Sequence, residues 1–303
     1  MALKFDLVAI GDLNWDTFIV TPRIPGPDEE IPLELVSEAP GGDAANVATA
    51  FALLGGSSAL IGAVGDDLAG QELLKRLQLA GVYSERVLVM NGRSSGRAFS
   101  LVEKTGQRRL LYWRGANAER KMNETDLAIL QNTGWIYIAD PLPTTVEKLT
   151  EWYGKGAVRA KLAFDPGSAG ASRGLRYFGS LLKHVEVLFV NELEAKTLGN
   201  SDELMQAANA LLQISNIVVI KRGENGSLVY TPELIQEVPA FRVNAVDTTG
   251  CGDAFNAAFL YQFIQGASLY EAAKWGNAAG AITATRIGAV MPTRKEILDL
   301  LGR

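Results

Sequence analysis

The chain has 303 residues, 48% of them hydrophobic, and 29 basic against 34 acidic side chains give a formal net charge of −5. This length and apolar content allow one large α/β domain or two modest ones around a buried core, and the scattered basic residues exclude the basic face that nucleic acid demands. A single cysteine, Cys251, and a single histidine, His184, exclude an internal disulfide and Cys- or His-rich metal sites, so a metal would need oxygen ligands of the kind Mg²⁺ takes.

Residues Met1 to Asp6 lack the basic start and apolar core of a secretion signal, and no apolar run approaches about 20 residues. A soluble, cytoplasmic protein without membrane contact is expected. Neither a Walker A loop nor a G-x-G-x-x-G stretch occurs, so P-loop and dinucleotide-binding readings have no motif behind them.

Phe5 to Ile10 is a short apolar run suited to a buried strand, and it stops at Gly11-Asp12-Leu13-Asn14-Trp15-Asp16. In an open parallel sheet the C-terminal strand ends form the ligand edge, which makes Asp12, Asn14 and Asp16 candidates for gripping hydroxyls. The same residue types also serve as ordinary turn formers. Thr21 to Pro40 holds five prolines and alternates weakly, as edge strands do. Pro40-Gly41-Gly42-Asp43-Ala44-Ala45-Asn46-Val47-Ala48 leads into a helix ending at Gly55-Gly56, its paired glycines making either a simple loop or a hinge with close ligand approach.

Ala59 to Val64 reads as the next strand, with Gly65-Asp66-Asp67 turning into a helix over Gly70 to Ala80. This alternation of apolar strands with helices signals a parallel sheet. Arg97 to Glu103 and Arg108 to Trp113, joined by Lys104-Thr105-Gly106-Gln107, read as a hairpin that joins the 15–40 region in a small separate sheet. Arg97, Arg108, Arg109 and Arg114 either meet an anionic substrate or line a solvated face.

Trp135 to Ala139, Lys161 to Phe164 and Glu186 to Val190 are further apolar runs, ending in Asp140, Asp165 and Asn191-Glu192 and so prolonging the ligand edge. Glu192 and Glu194 equally suit a first helical turn, where the helix dipole favours acids. His184 reads as a helix-end residue rather than a catalyst. Asn216 to Ile220 runs into Lys221-Arg222-Gly223-Glu224-Asn225-Gly226-Ser227, either a β-turn or a loop approaching a ligand, with Lys221 or Arg222 able to offset phosphate charge.

The stretch richest in chemistry is Asp247-Thr248-Thr249-Gly250-Cys251-Gly252-Asp253-Ala254-Phe255, a loop feeding a buried helix. Its glycines free the backbone to turn, and the amides of the first helical turn point outward as an anion site. Asp253 stands in that same turn. A hydroxyl would give its proton to Asp253 while the amides of Gly250, Cys251 and Gly252 receive charge building on a transferred phosphoryl group. Taken alone, the tetrad is equally a capping carboxylate beside a flexible turn.

This string resembles the C-terminal signature of the PfkB family, the ribokinase-like carbohydrate and nucleoside kinases, written D-T-x-G-A-G-D-x-F, with Cys251 where Ala is commonest. Gly41 to Ala48 resembles the family's N-terminal signature G-G-x-x-x-N-x-A, and Asn191-Glu192-Leu193-Glu194 matches its N-x-x-E element. Lys221 to Gly226 resembles the nucleotide loop T-x-G-x-x-G with Lys221 in place of Thr, and Arg114 to Ala118 resembles a segment common in its sugar kinases. The likeness runs from Gly11 to Pro292 in the expected order. It implies one ribokinase-like α/β domain over residues 1–303, a mostly parallel sheet flanked by helices. A small β-sheet lid would come from about 15–40 and 96–115, and in some relatives such a lid is the homodimer contact.

The resemblance further implies an ATP-dependent kinase that phosphorylates a hydroxyl of a small sugar. Asp253 would be the base, with the amides of Gly250, Cys251 and Gly252 as the anion hole. Gly41 and Gly42 would form a hinge under the sugar, and Asn46, Asn14 and Asp16, with Asp12 and Arg114, would bind it. Asn191, Lys221, Gly223, Gly226 and Asn277 would lie on the ATP side. Glu194 would help hold Mg²⁺, often through water, and Asp247, with Thr249 and Thr285 to Val290, would hold K⁺ as in some relatives. Asp43 occupies a variable position and its role is open. A nucleoside kinase of the same family is the alternative, followed by a non-catalytic sugar-binding regulator.

Overall fold

The computed structural model describes residues 4–104 and 107–302; the hairpin tip expected at Thr105-Gly106 lies outside the described residues, as do both chain ends. The strands are β1 (Phe5–Ile10), β2 (Asn14–Thr21), β3 (Leu35–Gly41), β4 (Ser58–Gly65), β5 (Tyr83–Met90), β6 (Gly96–Glu103), β7 (Arg108–Trp113), β8 (Thr133–Ala139), β9 (Lys161–Asp165), β10 (Val185–Asn191), β11 (Ile217–Lys221), β12 (Ser227–Tyr230) and β13 (Ile235–Val238). The helices are α1 (Asp43–Leu53), α2 (Leu68–Leu79), α3 (Glu124–Leu130), α4 (Pro143–Gly154), α5 (Gly167–Arg173), α6 (Glu192–Gly199), α7 (Leu204–Leu211), α8 (Cys251–Ile264), α9 (Leu269–Ala284) and α10 (Arg294–Leu301).

Nine strands form the main sheet in the order β13-β12-β11-β10-β9-β8-β1-β4-β5. Seven neighbours from β11 to β5 run parallel, and β12 and β13 extend the sheet antiparallel. Burial on both faces explains why β1, β4, β8, β9, β10 and β11 are continuous apolar runs rather than alternating ones. Along β1, Leu7 and Ala9 point into the core shared with α1, α8 and α9, while Val8 and Ile10 point to the opposite core with Leu149, Trp152 and Phe178. Each large side chain so buried contributes about 1.5–3 kcal/mol.

The second sheet, β3-β2-β6-β7, stands apart from the first. Its central pair β2 and β6 is parallel and its outer pairs are antiparallel. Asn14 lies beside both Gly41 and Gly96 in this register, so the sheet springs from the ligand edge close to the end of β1.

Three strands escape a reading of the sequence. In β5, charged Glu85 and Arg86 interrupt the apolar pattern because the strand closes one edge of the main sheet, and β12 and β13 are only four residues long. Within the Thr21 to Pro40 stretch, strand β3 begins only at Leu35, since Pro22, Pro25, Pro27 and Pro32 remove donors and keep residues 22–34 out of the ladder.

Candidate active site

Parallel strands end together, and the register brings five polar strand ends into one line. Asp12 follows β1, Asp140 follows β8 beside Asp165 at the end of β9, and Asn191 of β10 lies opposite Lys221 of β11. Helix α8 approaches this edge with its N-terminus. Gly250 caps it in a left-handed conformation (φ 75°), and a Cβ there would lie 2.6 Å from that of Ala289, so only glycine fits without displacement. The first i→i−4 bond runs from Ala254 N to Gly250 O, which leaves the Gly252 amide ahead of it pointing outward. The Cys251 amide turns back to Thr248 O at 3.3 Å, so of the three amides expected for the anion hole this one is partly engaged.

Asp253, in the first turn of α8, is buried and accepts a hydrogen bond from Asn46 Nδ2 at 2.8 Å. Asn46 lies on α1, directly after the paired glycines. The two family-like signatures, 207 positions apart, therefore meet at one carboxylate. Burial pushes the Asp253 carboxyl up to about 7, against the pull of Asn46 and Lys221. Such a group ionises near neutrality, as a general base should. Asp43 keeps solvent access in the same cleft, and the charge of Asp253 raises its pKa.

On the lid side, Gly41 passes directly over the Asp16 carboxylate: a Cβ there would fall 2.0 Å from Oδ2. Gly42 has φ 95°, and a Cβ would lie 2.3 Å from Asp12 O. Asn14 Oδ1 accepts from Asn117 Nδ2 at 3.1 Å, and Asn117 also bonds both backbone groups of Leu13, which fixes the turn between β1 and β2. Arg114 reaches into the floor, 3.3 Å from Asp12 Oδ1 and paired with Asp140. Burial raises Asp12 to about 6 although Arg114 pulls the other way. Of the other lid arginines, Arg109 pairs with Glu103, and the Arg108 side chain lies outside the described residues.

The opposite wall carries Lys221. Its Nζ donates to Asp165 Oδ2 at 2.8 Å and lies 3.3 Å from where a Cβ on Gly252 would stand, so the ammonium sits against the N-terminus of α8. Burial works against that charge, but Asp165 and Glu194 outweigh it and the Lys221 pKa is raised. Asp165 also accepts from Asn256 Nδ2 at 2.8 Å and from the Gly167 amide at 2.9 Å, and Asn256 reaches the Tyr137 hydroxyl at 3.1 Å. Burial, then the charge of Asp165, pushes the Tyr137 hydroxyl up.

Asn191 and Glu194 form a capping box on α6, Asn191 Oδ1 accepting from Glu194 N and Glu194 Oε2 from Asn191 N; Ser168 donates to Glu194 Oε1 at 2.9 Å. Burial, then Asp165, raises the Glu194 pKa. Arg222 is held by Glu192 and Glu237. Gly223 and Gly226 take positive φ in the loop after β11, and a Cβ at Gly226 would strike Val238 O at 2.1 Å. Asn277 donates to the backbone oxygens of Val238 and Pro239, fastening the end of β13 to α9. Asp247 accepts from Thr249 and from the Gly288 amide, joining the loop before α8 to the 285–290 segment. His184 stacks on Tyr153 at 4.7 Å, and burial lowers its pKa.

The site residues unassigned from sequence are Asp43, Asp140, Asp165, Asn256 and Tyr137. Asn256 carried a usable signal: three residues after Asp253 in an otherwise apolar helix, it shares that residue's face.

A buried carboxylate at a helix N-terminus, an ammonium beside it and a small separate sheet rooted at the same edge are the features of a ribokinase-like phosphotransferase fold. The family profile of the pfkB carbohydrate kinases matches residues 4–296. The chain is 32% identical over 283 residues to an ATP-dependent ribose-1-phosphate kinase of Halopiger xanaduensis, covering 93% of each. It is 31% identical to fructokinase-1 of Oryza sativa, covering 87% of this chain and 88% of the relative. It superposes on Arabidopsis thaliana ribokinase complexed with ribose and ATP with a TM-score of 0.87 at 26% identity, over 100% of both chains. A Thermotoga maritima ribokinase gives 0.85 at 28%, over 99% of this chain and 100% of the other.

The chain belongs to the pfkB family of carbohydrate kinases. It is an ATP-dependent kinase that transfers a phosphoryl group to an alcohol of a small sugar. No helix among the described residues is long and apolar enough to cross a membrane.

Proposed function

We propose that Asp253 is the general base of this transfer, that Lys221 and the Gly250 and Gly252 amides receive the charge of the moving phosphoryl group, and that Asp12, Asn14, Asp16 and Asn46 orient the sugar. The observation that carries this reading is the contact of Asn46 with Asp253 beside Lys221. It joins the hinge helix, the base and the phosphate-facing cation. Deprotonation of a sugar hydroxyl by Asp253 sends its oxygen toward the γ-phosphorus, and the bond to the β-phosphate oxygen breaks as the new one forms. The lid, closing about Gly41 and Gly42, excludes the water that would otherwise accept the phosphoryl group.

Oxygen donors near the phosphate end suit Mg²⁺, which takes one or two carboxylates together with substrate phosphates. Among the described residues no cluster of three acidic, cysteine or histidine side chains exists to hold a metal alone. Each Glu194 oxygen accepts one hydrogen bond and retains a lone pair, so Glu194 would hold the ion, directly or through water. When bound, the ion supplies countercharge for the β- and γ-phosphates. Potassium would belong where Asp247 meets the 285–290 segment. Leu110, Leu111, Tyr112 and Trp113 lie exposed along the edge strand β7, which supports a homodimer contact through the lid.

The test is ADP release from Mg·ATP across ribose, fructose, their phosphates, sugar acids and nucleosides, with Asp253→Asn alongside. One strong sugar acceptor, silenced by the substitution while ATP still binds, is the expected result. Near-normal turnover in Asp253→Asn would remove the base assignment, and a broad preference for nucleosides would move the substrate class.

A further inference from the structure

Arg114 follows the lid strand β7 and is drawn down to the cleft floor, where its side chain is only 12% exposed. One of its nitrogens donates to the Asp140 carboxylate and, at 3.0 Å, to the Asp140 backbone oxygen. Another lies 3.3 Å from Asp12 Oδ1. Two carboxylates thus bracket one guanidinium, and the Asp16 carboxylate lies under Gly41 in the same cleft. Arg173 stands farther out, 38% exposed and 3.8 Å from the second Asp140 oxygen, which is buried and makes no hydrogen bond.

Asp140 is held in an uncommon way. Its φ of 36° makes it one of three non-glycine residues with positive φ among those described, and it stands at the C-terminal end of β8 on the ligand edge. Side chains rarely adopt that conformation, and such strain gathers at functional sites. The effect of the turn is to send the Asp140 carboxylate, and its backbone oxygen with it, onto Arg114.

We propose that Asp140 is a specificity-determining residue: by fastening Arg114 against Asp12 it withholds the guanidinium from anionic acceptors and reserves the pocket for an uncharged polyol rather than a sugar phosphate or sugar acid. This rests on the phosphotransfer reading above and narrows its substrate class. An anionic acceptor would have to displace Asp140 from Arg114 and set its own charge beside Asp12 and Asp16. A neutral sugar meets no such conflict, since its hydroxyls donate to the carboxylate oxygens and accept from remaining Arg114 N–H groups.

The test measures kcat/KM with Mg·ATP for ribose and fructose against ribose 1-phosphate, fructose 6-phosphate and gluconate, in the wild-type chain, Asp140→Asn and Asp140→Glu. Asn tolerates the left-handed backbone, so the first substitution removes charge with little change of shape. The wild type is expected to favour its best neutral sugar by about a hundredfold over the anionic acceptors. Asp140→Asn should narrow that ratio at least tenfold, chiefly through a lower KM for the anions, and Asp140→Glu should restore part of it. A wild-type preference for a phosphorylated or acidic acceptor would overturn the proposal even if the variants fail to fold. So would an unchanged ratio in Asp140→Asn, the signature of a merely structural residue. In either case phosphotransfer itself would stand, whereas no turnover with any acceptor, nucleosides included, would overturn both.

Discussion

Lys221 at one end of the cleft and Arg114 at the other are fastened in the same manner, each by carboxylates at the C-terminal ends of strands, yet what else stands beside them differs. Lys221 hydrogen-bonds one carboxylate, Asp165, whose charge is already shared with Asn256 and the Gly167 amide; Glu194 and Asp253 also act on it, and the N-terminus of α8 lies beside it. Arg114 touches two carboxylates. A clamped cation therefore does not by itself mark an anion site. On the proposed reading the balance of the groups behind it decides: backbone amides and a helix dipole would keep one end receptive to phosphate, and a second carboxylate would make the other end receptive to hydroxyl groups.

The sharpest way to break this comparison is at Asp253, where the two ends meet. Asp253→Asn should lower kcat about a thousandfold, within the usual worth of a positioned base. In the wild type the acid limb of kcat/KM should titrate near 7, because the base must lose its proton to act. The sign for stability is opposite. A carboxyl whose folded pKa lies above its unfolded one favours the folded state at low pH, and that contribution disappears as pH rises through about 7. Asp253→Asn should accordingly raise Tm by about 2 °C or more at pH 8, with no gain at pH 4. A lower Tm at pH 8 would mean that the Asn46 contact outweighs burial.

Lys221→Met isolates the donor end. Loss of the ammonium beside α8 should lower kcat about a hundredfold, as the loss of one stabilising donor does, with the KM for sugar little changed. An effect confined to the sugar KM would put Lys221 on the acceptor side and dissolve the contrast with Arg114.

The smallest expected effect is at the hinge. A methyl group at Gly42 would meet the Asp12 backbone oxygen, so Gly42→Ala should raise the acceptor KM about tenfold by misplacing the floor of the pocket. The KM for ATP should not move, and an unchanged acceptor KM would separate the hinge from sugar binding.

Much of the candidate site was legible as a set of neighbouring residues because they sit in short strings with local reasons for their spacing. Gly250 and Gly42 have conformations that side chains rarely adopt, and Asp253 lies one helical turn past a glycine cap. Asn191 and Glu194 were legible as a motif, and in the fold they also form a capping box, which is why chemistry and helix initiation share those residues. Asp140 and Asp165 stood out only as polar strand ends. Their partners, Arg114, Lys221 and Asn256, lie 26, 56 and 91 positions away, a separation that no local pattern encodes.

By itself the sequence determined the alternation of buried strands and helices, the glycines that allow close approach, and the acid at the head of α8, because these depend on periodicity and backbone stereochemistry within a few residues. The tertiary structure alone decided that Asn46 would meet Asp253, that Lys221 would face the helix N-terminus, and that Asp140 would turn back onto Arg114. Those outcomes depend on strand order and register, and on the net charge that several distant side chains create once they are desolvated together.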